Sequence, residues 1–318
     1  MSSDYIPRLR QELLRAGATE PSRVRRARPA RVLRPLAGVA AVALVLVAVV
    51  LAFPRGAEQR NETTTANTID LSYRVDPAES ASAARVMRER LAALGVRGAS
   101  VSASGAVLAI TAPDSARADV TALTHSGRFA IYDWERSVLG PRGTPAPTDA
   151  SVTGGQDAAR AGAVSKTEAG KRAGDGQVVR AEGAANDGWF ALGGKPALTN
   201  ADIERARATV DPNTNEPIVA LELTPEGEDA FASLTREVAR RGGENAVPAS
   251  GLDAAQHIAI VVDDRIVAVP YIDFRQAPDG IDGATGLHVS GGLTPETARQ
   301  LAALLSAGPL AATLQPGG

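Results

Sequence analysis

The sequence predicts an α+β protein: a single N-terminal transmembrane helix followed by an extracytoplasmic domain of mixed or antiparallel sheets covered by helices. Three observations carry this. Leu36 to Phe53 run for eighteen residues without one polar side chain. Beyond residue 68, two-residue alternation (Leu71, Tyr73, Val75) recurs beside helical stripes (Ala84, Met87, Leu91, Leu94). The β runs after residue 218 are short and interrupted, which suits an antiparallel or mixed sheet better than a doubly wound one.

An eighteen-residue helix is roughly 27 Å long, close to the thickness of a bilayer core. Residues 1–35 carry nine Arg against three acids, an excess of six positive charges, which leaves about −8 on the rest of a chain whose total is −2. Such a basic flank places the N-terminus in the cytoplasm and the C-terminal domain outside it, in a single-pass protein of the cell membrane. A cleaved signal peptide is the alternative, but its basic region would be unusually long and its cleavage option, Val50-Leu51-Ala52, is weak. The Arg cluster has no interleaved aromatics and abuts the span, so no nucleic-acid partner is expected. The resulting organisation is a cytoplasmic basic segment (1–35), the span (36–53), a polar tether (54–68), an α+β unit (69–139), a Gly/Ala-rich flexible insertion (140–188), a second α+β unit (189–314) and a tail (315–318).

In the first unit, a strand through Leu71–Val75 leads to a helix over 77–94, with Asp76 as N-cap, Glu79 in a capping box and Gly95 as its stop. Arg85, Arg88, Glu89 and Arg90 fall mostly away from the apolar stripe. A hairpin over 99–111, a short helix over 114–123 and a strand over 128–134 follow. The 140–188 stretch has almost no bulky apolar residues, so it builds no core of its own; at most a short helix near 155–174 is expected. In the second unit, Thr199 or Asn200 caps a helix through 202–207. A turn at 211–217 leads to a strand at 218–223, and Thr224-Pro225-Glu226 opens a helix bearing Phe231, Leu234 and Val238 that ends at Gly242-Gly243. Strands at 257–262 and 265–269 meet at Asp263-Asp264, and Pro270 ends their pairing. A strand at 287–290 precedes the last helix, opened by Thr294-Pro295-Glu296.

No catalytic motif is present: no phosphate-binding glycine loop, no H-E-x-x-H, no G-x-S-x-G. The absence of Cys removes thiolate chemistry and Cys-ligated metals, and the three His, at 125, 257 and 288, match no ligand spacing. No cofactor and no enzymatic activity are expected. Asp263, Asp264 and His257 are the residual candidates for a hydrolytic site.

Five runs in order resemble the first periplasmic domain of the protein-translocase subunit SecD: LSYRVDPAESASAARVMRERLAALGV at 71–96, SGRFAIYDWE at 126–135, the Leu-Thr and T-P-E-G pattern within 188–239, IAIVVDDRIVAVPYI at 258–272 and GLHVSGGLTPETARQLAALLSAGPLAATL at 286–314. The turn residues Asp263, Asp264, Arg265 and Pro270 carry part of that likeness. The resemblance implies a base and a mobile head that engages emerging preprotein. SecD proteins continue into a membrane-helix bundle with an intramembrane Asp; a truncated form without that multi-span part is expected here, since the one apolar run holds no ionisable residue.

Two functions compete: polypeptide or Sec-translocon binding in protein export, and a non-catalytic structural or envelope-sensing role that reuses the fold. An extended client adds best as a strand on an open sheet edge. The longest apolar β runs nominate Val219, Leu221, Ile260, Val262, Val267 and Val269 as possible protein-binding positions, with the Phe231, Leu234 and Val238 face as core.

Overall fold

The structure, a computed structural model, describes residues 67–146, 163–181, 188–212, 214–245, 256–290 and 293–317. The expected span at 36–53 lies outside them. Among the described residues no helix is long and apolar enough to cross a membrane. The described strands form three sheets.

The first sheet belongs to a base. Thr68–Arg74 (β1) buries Ile69 and Tyr73 on one face. Ser80–Leu94 (α1) follows, starting later than the sequence predicts. Asp76 Oδ1 accepts from the Ala78 N–H (2.9 Å) and holds a turn over 77–79, so Glu79 becomes the N-cap residue and closes no capping box. Gly95 ends α1 in the left-handed conformation (φ 80°) that its missing Cβ permits. Ser100–Ser104 (β2) and Val107–Pro113 (β3) form the expected hairpin, and Arg117–Leu123 (α2) packs behind it. Met87, Leu91, Leu108, Ile110, Val120 and Leu123 are the centre of this core.

The chain then crosses to a head built on a large sheet. Phe129–Asp133 (β4) runs into the single turn Trp134–Ser137 (α3). Part of the stretch expected to be a flexible insertion is folded. Lys166–Ala173 (α4) is capped by Ser165, whose Oγ accepts from Glu168 N–H (3.2 Å), and Gln177–Ala181 (β5) pairs with Trp189–Leu192 (β6). Val179 and Ala181 are buried, so β5 borrows a core from its neighbours. Two inward side chains suffice where the surrounding sheet already exists. The unit therefore begins before the expected residue 189.

Leu198–Thr199 (β7) precedes one 3₁₀ turn, Asn200–Asp202, in which Thr199 and Asp202 cap each other. The helix expected over 202–207 is instead the strand Ile203–Val210 (β8). Ile203, Ala206 and Ala208 pack against the core while Arg205, Arg207 and Thr209 are exposed, a period-two pattern after an irregularity near residue 204. Pro217–Leu223 (β9) returns antiparallel to it. Pro225–Asn245 (α5) opens at Thr224, whose Oγ1 accepts from Gly227 N–H (3.1 Å), and runs through Gly242-Gly243 rather than stopping there. Gly242 is buried, and the Arg241 guanidinium on Asp133 (2.8 Å) holds the last turns against the sheet.

Gln256–Val262 (β10), Arg265–Ala268 (β11) and Tyr271–Ile272 (β12) follow. Pro270 interrupts the pairing without ending it, because its carbonyl accepts from Ile258 N–H (3.0 Å) and β12 rejoins β10 at Gln256 and His257. Leu287–Val289 (β13), Pro295–Ser306 (α6) and Gln315–Pro316 (β14) complete the chain. The large sheet has the order β6-β5-β11-β10-β4-β7, the small one β13-β9-β8 and the base β14-β1-β3-β2. Only the β5–β11 pairing in the large sheet is parallel among the described pairs, so the head sheet is mixed. The two head sheets close over Phe231, Leu234 and Val238 of α5, which are core as expected. α6 serves both units: Leu301, Ala302 and Leu305 face the head core, Ala303 and Leu304 the base core.

Candidate functional site

The apolar strands expected to offer an open edge are interior. Val219 and Leu221 are on β9, flanked by β8 and β13; Ile260 and Val262 are on β10, flanked by β11 and β4. Val267 lies on β11, between β10 and β5, and Val269 follows it. All but the half-buried Val267 are buried. β10 is apolar on both faces, as strands between neighbours commonly are, whereas β9 is interior by its pairing although Glu222 stays half-exposed on one face.

Among the head's described edge strands, β13 has three residues, β7 two and β6 four. Ser137–Leu139 bonds the outer side of β6, through Leu139 N–H to Ala191 O (2.9 Å) and Gly193 N–H to Ser137 O (2.7 Å). β8 is the longest, with eight residues, and its described strand partner is β9 alone. Thr224 N–H donates to Asp202 O (3.0 Å) and Asp211 N–H to Glu216 O (2.9 Å). With the register Arg205↔Glu222, Arg207↔Ala220 and Thr209↔Ile218, this sets the alternation of the ladder. Arg205, Arg207 and Thr209 bond to β9; the backbone groups of Ala206, Ala208 and Val210 point the other way. From that side Ser306 Oγ donates to Ala206 O (2.9 Å). Val210 is 51% exposed. The sequence does carry a signal for this strand, the Arg-Ala-Arg-Ala alternation at 205–208, which a helical reading of 202–207 conceals.

The turn Asp263-Asp264 is a structural staple. Asp263 adopts φ 58°, and its Oδ1 accepts from Ser126 Oγ and from Arg128 N–H (2.9 Å). Its carbonyl accepts from Gln177 Nε2 (2.7 Å). Asp264 O accepts from Arg180 N–H (2.6 Å), and Arg265 pairs with Arg180 in the parallel register. His257 stands at the opposite end of β10, where its Nδ1 and backbone N–H both meet the Glu135 carboxylate (2.9 Å). Six residues of strand separate the two ends by roughly 20 Å, so His257, Asp263 and Asp264 form no common site. Among the described residues no three metal-ligating side chains converge.

The staple borders an open cleft of about 860 Å³ lined in part by Ser126, Tyr132, Gln177, Thr199, Asn200 and Asp263. These polar groups largely bond one another: Tyr132 Oη donates to Gln177 Oε1 (2.9 Å) and Asn200 Oδ1 accepts from Phe129 N–H (2.8 Å). Burial raises the Tyr132 phenol above 10, and burial raises Tyr73 likewise. A phenol that keeps its proton when folded stabilises the fold fully below the unfolded value near pH 10, and the contribution is lost as pH rises through the folded value. Tyr132→Phe should therefore cost about 1 kcal/mol at pH 7. The difference from the parent, measured by urea unfolding, should shrink above pH 10; a constant difference would contradict it.

Beside this turn lies a feature absent from the expectations. Arg90, predicted on the solvent side of α1, is fully buried. Its Nη1 donates to Leu123 O (2.6 Å) and His125 O (2.5 Å), and its Nη2 to Ser126 O (2.7 Å) and Gly308 O (2.9 Å). Residues 123–128 and 307–314 are the two crossings between base and head, and they also bond each other, Leu310 N–H to Ser126 O (2.8 Å) and Leu314 N–H to Thr124 O (3.0 Å). Burial pulls the guanidinium down to about 10, with the Asp263 charge opposing, so it stays charged at neutral pH.

Comparison with known proteins agrees with this architecture. Residues 177–312 match the family described as SecDF, P1 head subdomain, whose start coincides with β5. The protein translocase subunit SecD of Thermobaculum terrenum is 32% identical over 117 residues, 37% of this chain and 18% of that protein. SecDF of Thermus thermophilus is 34% identical over 123 residues, 38% of this chain and 14% of that protein. The aligned region thus spans less than a fifth of either relative. A crystal structure of SecDF in a super-membrane-facing form shares the fold, with a TM-score of 0.51 and 23% identity over 79% of this chain and 29% of that one. Residues 177–312 are thus similar to the SecDF P1 head subdomain and to the SecD and SecDF proteins that match there, and the fold is shared with a SecDF structure.

Proposed function

We propose that this protein acts in protein translocation, as a membrane-anchored, extracytoplasmic SecD-type domain that binds extended polypeptide without catalysing a reaction on it. The observation that carries the reading is the head-subdomain match over 177–312. The β8 edge supports it, because strand addition engages backbone amides common to every client and needs no sequence-specific pocket. Residues 36–53 are the proposed anchor, with the basic 1–35 segment in the cytoplasm and the Sec translocon as neighbour. A photo-crosslinking residue at Thr209, on the exposed face of β8, should capture a translocation-arrested secretory chain. The same group at Val107, an exposed base position, should not. Equal capture at both, or at neither, would sink the proposal. Extraction of the full chain from membranes by alkaline carbonate would remove the anchor from it.

A further inference from the structure

The open edge of β8 has two unlike faces, and they imply a composition for whatever strand it accepts. On the outer face Arg205 and Arg207 are 56% and 61% exposed and share a single carboxylate, Glu222. Arg205 is 3.4 Å from it, and Arg207 also pairs with it. Among the described residues, these are the ion pairs the two arginines make, so two cations stand against one anion. On the inner face the side chains at the edge are Ala206, Ala208 and Val210, small or half-open apolar groups above α6.

The ladder alternation decides which face a new strand reads most closely. On the free side, the backbone groups of Ala208 and Val210 are left to bond a new strand, the Ala206 carbonyl already accepting from Ser306 Oγ (2.9 Å). Arg205, Arg207 and Thr209 are therefore the non-hydrogen-bonded positions there, where opposed side chains approach nearest. Opposite charges at such positions attract and like charges repel. We infer that β8 selects extended segments in which acidic residues alternate with β-branched apolar ones, the acids opposite Arg205 and Arg207 and the apolar groups over Ala206 and Ala208. The same geometry disfavours a second copy of this chain as the occupant, since edge-to-edge pairing of two β8 strands brings arginine towards arginine. The inference rests on the reading of β8 as a docking edge and adds a preference to it.

The test uses the full-length protein and blocked, dye-labelled octapeptides followed by fluorescence anisotropy. One has the sequence Thr-Glu-Val-Glu-Val-Glu-Val-Thr; two others carry Lys or Gln in place of Glu. The acidic peptide should bind about 5-fold or more tightly than the lysine one, with the glutamine peptide between, and added salt should narrow the gap. Combined Arg205→Gln and Arg207→Gln should erase the ranking while leaving the glutamine peptide's affinity within about 2-fold of the parent's. Ala208→Pro, which removes an outward N–H from an edge strand, should weaken all three with little change in melting temperature. If all three peptides bind equally and Ala208→Pro still weakens them, the acidic preference is wrong and the docking edge stands. If Ala208→Pro changes nothing, both are wrong. Concentration-dependent dimerisation lost in Ala208→Pro would replace the client by a second copy and overturn the inference.

Discussion

Arg90→Met should lower the melting temperature of the protein by about 10 °C or more. The substitution nearly keeps the side chain's length but removes every donor from a site with zero exposure. Four carbonyls lose a charged partner at once: those of Leu123, His125 and Gly308, and that of Ser126, which keeps the Leu310 N–H (2.8 Å). Each buried acceptor left unsatisfied costs about 1–3 kcal/mol. Even with partial relaxation the total exceeds about 4 kcal/mol, and 1 kcal/mol corresponds to roughly 2–4 °C in a domain of this size. Arg90→Lys should rescue little, because an ammonium is a point donor and does not span two crossing segments. The packing leaves no slack: a Cβ on Gly127, which has φ +73°, would lie 2.7 Å from Arg90 Nη2. Calorimetry of the parent and both variants decides the matter. A loss below about 1 kcal/mol for Arg90→Met would show that water replaces the clamp.

Val219→Pro should abolish cooperative folding of the head. The residues of β9 that bond to β8 are 218, 220 and 222, so the Val219 N–H faces β13, where Val289 is its register partner. Proline there deletes a ladder bond and forces its ring between two strands at a site with zero exposure. The cost is several kcal/mol, set against total stabilities of only about 5–15 kcal/mol. Circular dichroism and proteolysis should report loss of the head in Val219→Pro and its retention in Ala208→Pro. Two strands adjacent in sequence and in space thus give opposite answers to the same substitution. A cooperatively folded Val219→Pro protein would mean that β9 is not interior.

The open edge of the head is hard to read from the sequence. Strand addition asks for a strand with one unpaired side, and the most apolar runs, at 218–223 and 257–269, do not have one. Val219 and Ile260 lie on strands with a neighbour on each side and are themselves buried. The longest edge strand of the head, β8, has a different composition, Arg alternating with Ala, and so reads as polar helix. Arg90 was misplaced for a related reason. Helical spacing sets Arg90 on the stripe with Ala83, Val86 and Met87 and away from the exposed Arg85–Glu89 pair (2.9 Å), but a guanidinium reads as solvent-facing unless the carbonyls that receive it are known.

The sequence by itself determined the features that depend on neighbours within a few residues. The β2–β3 hairpin, the Gly95 stop of α1, the Thr224 and Thr294 caps and the stripe of α5 are all local chemistry, and each is found as expected. The SecD resemblance was legible because these signals recur in a fixed order. Tertiary structure decided everything that required a distant partner. It made 203–210 a strand because β9 lies alongside, admitted β5 to the sheet because β6 and β11 flank it, and carried α5 past Gly242-Gly243 because Asp133 anchors Arg241. The physical reason is the same in each case. Propensities differ by about 1 kcal/mol per residue or less, while burial of a side chain or completion of a ladder is worth more, so long-range partners overrule the local preference wherever they meet it.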